Sequence, residues 1–167
     1  MPASLSMAPA FHIRQIRGDD LDRVLGYFAG LSERSRRSFH PHPFDVPHAE
    51  RIVHTSAQPD CFRIAAVVGN GDHRRIAGYA FFEDGSEPGR PSVGIGVADE
   101  FQGQGIGKAL MRALIGEARR RGKSGLRLDV YKENSAAQHL YAQAGFRICG
   151  ETPDGKQHSM RLDFTDR

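Results

Sequence analysis

Phe11, Ile13 and Gln15 alternate with His12, Arg14 and Ile16, which predicts a short opening strand. Asp19 is placed to cap the helix that follows, whose apolar positions Leu21, Val24, Leu25, Phe28 and Leu31 recur at helical spacing on one face. Prolines at 41, 43 and 47 then interrupt regular structure, and a short helix restarts after Pro47 with Ile52 and Val53 turned inward. Residues 62–68 and 75–82 are rich in β-branched and aromatic side chains and flank Gly69, Asn70, Gly71 and Asp72, which predicts a hairpin. The apolar run 92–98 reads as a central strand covered on both faces, and Gly94 and Gly96 within it suggest a bulge or a ligand lying close to the backbone.

After Gly107, the positions Ala109, Leu110, Ala113, Leu114 and Ala118 mark a long amphipathic helix that ends at Gly122. Leu126, Leu128 and Val130 alternate with Arg127 and Asp129 in the next strand. Asn134 or Ser135 caps a helix carrying Ala137, Leu140, Tyr141 and Ala144, closed by Gly145, and two strands follow at 146–149 and 157–164. The order of elements predicts one α/β domain with a mixed sheet of about seven strands and about four helices. Residues 1–9 are expected to be a flexible lead-in to a domain spanning 10–167.

Composition narrows the class. A chain of 167 residues, 39% hydrophobic and 26% charged, can bury an ordinary core without staples. Cys61 and Cys149 stand far apart with no metal-ligand spacing, so neither a disulfide framework nor a zinc site is expected, and a cytoplasmic location fits. The start of the chain lacks a basic segment followed by an apolar run, and no stretch of 18 apolar residues occurs, so no membrane partner is expected. A formal net charge of +3, spread along the chain, gives no footprint for nucleic acid.

The informative segment is VGIGVADEFQGQGIGKALM. Gly103, Gly105 and Gly107 sit between a strand and a helix, where several backbone N–H groups can converge on a phosphate, with Lys108 adding a positive charge. A Walker A loop would need Gly at 102 and a hydroxyl at 109, whereas the chain has Gln102 and Ala109. A dinucleotide fingerprint would need GxGxxG after the first strand, whereas this is GxGxG in mid-chain.

Gln102-x-x-Gly105-x-Gly107 after SVGIGV resembles the signature of the GNAT family of N-acetyltransferases, and ENSAAQHLYAQAGF, with Asn134, Tyr141, Gly145 and Phe146, is similar to that family's next motif. The likeness covers roughly residues 60–150. It implies acetyl-CoA as co-substrate and no metal. The N–H groups of Gln102, Gly103, Gln104, Gly105, Ile106, Gly107 and Lys108 would hold the pyrophosphate. Backbone from Ile95 to Val97 would pair with the pantetheine arm in a splayed sheet edge, where small residues at 94 and 96 make room, and Asn134 would contact the pantetheine or its adenosine side. The acceptor would be a primary amine on a small molecule or a protein lysine, and a homodimer is compatible with edge strands near the C-terminus. The alternative reading is a CoA-binding module that senses acyl-CoA without turnover.

Acyl transfer to an amine needs a neutral nucleophile, a stabilised oxyanion and a proton for the departing thiolate. Tyr141, whose phenol starts protonated, is the expected acid. Relatives carry Glu at the start of the fourth strand, where this chain has Ser92. Glu83 and Asp84, at the end of the preceding strand, are the nearest carboxylates, and Glu83 is taken as the expected base, with Glu87 and Glu100 less attractive; the alternative is an enzyme that binds the neutral fraction of its amine without a dedicated base. A bland reading of Glu83 is a loop carboxylate near Arg90. His40 and His42 in FHPHPF are expected to line the acceptor mouth, with His48 and Asp45 nearby as a remote metal option.

Overall fold

The computed structural model describes residues 10–165, so the expected lead-in over 1–9 lies outside the described residues. In chain order the elements are β1 (Phe11–Gln15), α1 (Leu21–Ala29), α2 (Glu33–Ser38), α3 (Val46–His54), β2 (Cys61–Val68), β3 (Arg75–Glu83), β4 (Ser92–Val97), α4 (Ile106–Arg120), β5 (Gly125–Tyr131), α5 (Ser135–Gln143), β6 (Arg147–Glu151) and β7 (Gln157–Asp163). The seven strands form one mixed sheet in the order β1-β2-β3-β4-β5-β7-β6.

Every neighbouring pair is antiparallel except β4 and β5, which run parallel and register at Ser92↔Arg127 alone. Further along, the two strands no longer pair, and the sheet opens. The bulge expected in β4 is not there: β4 pairs with β3 continuously from Glu83↔Ser92 to Gly78↔Val97, and the register shift lies in β2 at Ala66/Val67.

Both faces of the sheet are covered. Side chains alternate across a strand, so Gly78 meets Ile106 and Leu110 of α4, while Gly96 meets Tyr27 of α1 and Phe39. Leu110, Leu114 and Ala118 are fully buried on the inner stripe of α4, and Val24, Tyr27 and Phe28 play the same part on α1. Each large apolar side chain so buried contributes on the order of 2 kcal/mol.

Three local expectations need correction. The residue at the start of the first helix is Asp20 rather than Asp19, and its carboxylate turns inward instead of bonding to the helix N–H groups. Its side chain is wholly buried, takes a bidentate pair from Arg14 at 2.6 and 2.8 Å, and accepts the Arg17 N–H at 2.8 Å. In addition, residues 33–38 form α2, a fifth helix, started by Ser32 accepting from the Ser35 N–H. Polar throughout, α2 carries no apolar stripe by which the sequence pattern could have marked it. Likewise α3 begins at Val46, one residue before Pro47, because Asp45 caps it through the His48 N–H.

Candidate active site

The glycine-rich turn joins β4 to α4. Gly103 and Gly105 have φ of 75° and 83°, a left-handed conformation that side chains resist, and a Cβ at either would meet nothing within 4 Å. These two glycines therefore answer to backbone conformation. Gly107 answers to packing, since a Cβ there would press on Leu140 at 3.3 Å. Gly105 caps α4 with no side-chain bond, as is also true of α1, whereas α2, α3 and α5 are each started by a side-chain cap. The start of this 15-residue helix thus keeps its first N–H groups and the positive end of its dipole for another partner. Gln102 steadies the turn: its amide donates to the Val97 carbonyl at 3.1 Å.

The turn stands beside the opening of the sheet. The Ala98 N–H donates to Ala77 of the β3 side, and the Arg127 N–H of β5 donates to Pro91. Because backbone direction alternates along a strand, Ile95 and Val97 direct their polar groups toward the gap beyond Ser92↔Arg127. They form an unpaired strand edge leading to the start of α4. The glycines beside them have a different reason to be small from the one expected. A Cβ on Gly96 would lie 2.5 Å from Phe39 and 2.6 Å from the Tyr27 hydroxyl, which donates to the Gly96 carbonyl, and Gly94 is filled likewise by Phe81.

A cleft of about 560 Å³ opens on the α1–α3 face of this gap, lined among others by Gly94, Ile95, Asn134, Tyr141, Glu83 and His42. Tyr141 is 8% exposed, with its ring 5.9 Å from that of Phe146. Burial alone pushes its phenol up to about 12, so the group is fully protonated at neutral pH. Asn134 caps α5 by accepting the Ala137 N–H at 3.2 Å and lines both this cleft and a smaller one that holds Gly96, Val97 and Gln102.

Glu83 lies directly opposite Ser92 in the β3–β4 register, so its carboxylate stands beside the position where the family pattern places one. Its partner is the buried Arg63, not Arg90. The Arg63 guanidinium also donates to the Tyr79 hydroxyl at 2.6 Å and rests over Phe81. The other carboxylates considered are engaged elsewhere: Asp84 by Lys123, Glu87 by Arg90 and Arg161, and Glu100 by Arg75. Sequence reasoning passed over Arg63. Its signal was a single charge inside the apolar run CFRIAAVV, which a buried strand tolerates only with partners at hand.

His40, His42 and His48 all line the cleft. His40 bridges its walls, accepting from the Tyr131 hydroxyl at 3.0 Å while its other nitrogen donates to the Arg36 carbonyl. His48 is held by Asp45, and its ring stacks on His42 at 5.6 Å. Among the described residues no group of three or more His, Cys, Asp or Glu is arranged to hold a metal, and no helix is long and apolar enough to cross a membrane.

Known proteins resemble this chain in sequence and in fold. Mycothiol acetyltransferase of Propionibacterium freudenreichii subsp. shermanii is 25% identical over 151 residues, covering 88% of this chain and 46% of the relative. L-methionine sulfoximine/L-methionine sulfone acetyltransferase of Pseudomonas aeruginosa is 27% identical over 162 residues, covering 92% and 90%. The chain spans about half the length of the curated relatives that match first. The PaiA N-acetyltransferase of Thermoplasma acidophilum, solved in complex with coenzyme A, superposes with a TM-score of 0.71 at 18% identity over 93% of this chain and 99% of that one. The model of the acetyltransferase (GNAT) family matches residues 28–146, a span holding the glycine turn, the open strand edge and Tyr141, and the chain belongs to that family.

Proposed function

We propose that the protein is an acetyl-CoA-dependent N-acyltransferase that moves an acetyl group to a primary amine, on a small molecule or a protein lysine, by direct attack of the amine on the thioester. The observation that carries this reading is the uncapped start of α4, with Gly103 and Gly105 left-handed, next to the unpaired edge of β4. Converging N–H groups at a helix start suit a pyrophosphate, and a free strand edge suits an amide-bearing arm that adds to it as a strand would. Residues 102–108 hold the phosphates, Ile95 and Val97 pair with the arm, and Asn134 contacts it from α5. Bound acetyl-CoA supplies the activated acyl group.

Residues of the cleft supply the rest. The Val97 N–H, turned to the gap, donates to the oxygen on which negative charge develops. Tyr141 gives its proton to the departing sulfur, and burial keeps that proton in place until the sulfur needs it. Glu83 neutralises Arg63 at the floor of the cleft and shapes the acceptor side.

Thiol release from acetyl-CoA, measured against a panel of amino acids, aminosugars, polyamines and lysine peptides, tests the reading. Release is expected with one acceptor class, and Tyr141→Phe lowers kcat at least tenfold while leaving CoA affinity in place. Tight CoA binding with no release for any acceptor would contradict the enzyme and favour a sensor of acyl-CoA.

A further inference from the structure

We infer that His42 is the base of the acceptor site, taking a proton from the substrate ammonium through Nε2, directly or through one water. This rests on the acyltransferase reading above and replaces Glu83 as the expected proton acceptor. Four observations lead to it.

First, the Nδ1 atom of His42 lies 2.8 Å from the Pro43 carbonyl oxygen. A carbonyl only accepts, so the hydrogen sits on Nδ1 and the lone pair on Nε2. Second, that Nε2 is buried and has no hydrogen-bond partner among the described residues. An unsatisfied acceptor is costly, and a native fold that retains one points to a partner absent from the apo protein. Third, the ring lines the same cleft as Gly94, Ile95 and Tyr141, so it shares a chamber with the strand edge where the acyl group would arrive. Fourth, Glu83 is committed to the buried Arg63, and releasing it to carry a proton would leave that guanidinium uncompensated.

The surroundings keep His42 uncharged. From β2 it faces Arg63, from β3 Tyr79 and Glu83, and from α3 His48, which Asp45 holds in turn, while α1 offers the apolar Phe28. Burial disfavours the imidazolium most, Arg63 and His48 add to that, and the Pro43 carbonyl and Glu83 oppose it, so the net direction is downward from the ordinary value of about 6.5. The ring is therefore a ready base at neutral pH.

The proton balance closes. The ammonium gives one proton to His42, which passes it to solvent. The freed nitrogen bonds to the acyl carbon as the carbon–sulfur bond breaks. Tyr141 protonates the sulfur, and the second nitrogen proton restores the Tyr141 phenol. The products are the amide, free thiol and one proton.

The test compares wild type with His42→Gln, using whichever amine of the panel is turned over. Wild-type kcat/KM is expected to be level across neutral pH. The variant is expected to lose about a hundredfold there and to recover about tenfold per pH unit toward the pKa of the amine, with acetyl-CoA affinity unchanged. Long-range ¹H–¹⁵N spectra of the wild-type imidazoles supply a readout free of turnover and of variant folding: at pH 7 His42 should carry its hydrogen on Nδ1 alone. A hydrogen on Nε2 at that pH overturns the inference, as does a variant within twofold of wild type at every pH. Failure of wild type to acetylate any amine removes the acyltransferase reading and this role together, whereas turnover with an indifferent variant removes the role of His42 alone.

Discussion

At the scale of single residues, Asp20 shows how much a fold can rest on a charge. Burial raises its pKa, but the hydrogen bond from Arg14, the Arg17 N–H, the Arg14 charge and Arg23 outweigh it and hold the carboxyl at about 2. A carboxyl whose folded pKa lies below its unfolded value stabilises the protein above the unfolded pKa and stops doing so as pH falls through the folded one. Asp20 is therefore expected to contribute about 2 kcal/mol that is present above pH ~4 and lost between pH ~4 and ~2. Asp20→Asn should cost about 3 kcal/mol at pH 7, because it leaves Arg14 without a counter-charge, and should flatten that acid limb. Urea unfolding of both proteins at pH 7 and along the acid limb checks it. Asp20 does not announce its burial in the sequence, and Arg63 shows only as a lone charge in an apolar run, because its partner Glu83 lies 20 positions away and is joined to it by the sheet. Tyr141 was legible because its neighbours in ENSAAQHLYAQAGF fix it on a helix beside a recognisable cap.

At the scale of elements, the sequence pattern found what periodicity and glycine can mark. The hairpin of β2 and β3, the long α4 and the closing β6–β7 pair all follow from alternation, helical spacing and turn residues. It missed α2, which is polar on every side, and it gave Gly94 and Gly96 a ligand for a reason when Phe81, Phe39 and Tyr27 supply one from across the chain. On the proposed reading, the glycine turn is the element on which cofactor binding depends. Gly105 is left-handed in open space, so Gly105→Ala should cost about 1 kcal/mol of stability from backbone strain alone. By tilting the first N–H groups of α4 it should also weaken CoA binding several-fold. Calorimetric titration with CoA beside thermal unfolding separates the two effects, and an alanine variant that binds CoA as tightly as wild type would speak against the turn as the phosphate cradle.

At the scale of the whole molecule, the fold places an open strand edge, a helix start and a protonated phenol around one gap because β4 and β5 run parallel and pair at one position only. The order β1-β2-β3-β4-β5-β7-β6 makes that gap central, with α4 on one face and the histidine-bearing segment before α3 on the other. On the proposed reading, acceptor choice falls to the segment between α2 and α3, where the sequence shows prolines and histidines but no pattern that names a substrate. In the proposed complex, coenzyme A lies along β4 and across the start of α4. Backbone amide ¹H–¹⁵N spectra recorded during titration with CoA test it most directly. Saturable shifts are expected at residues 102–108 and at Ile95 and Val97; shifts confined to other surfaces, or no saturable shift at all, would rule that placement out.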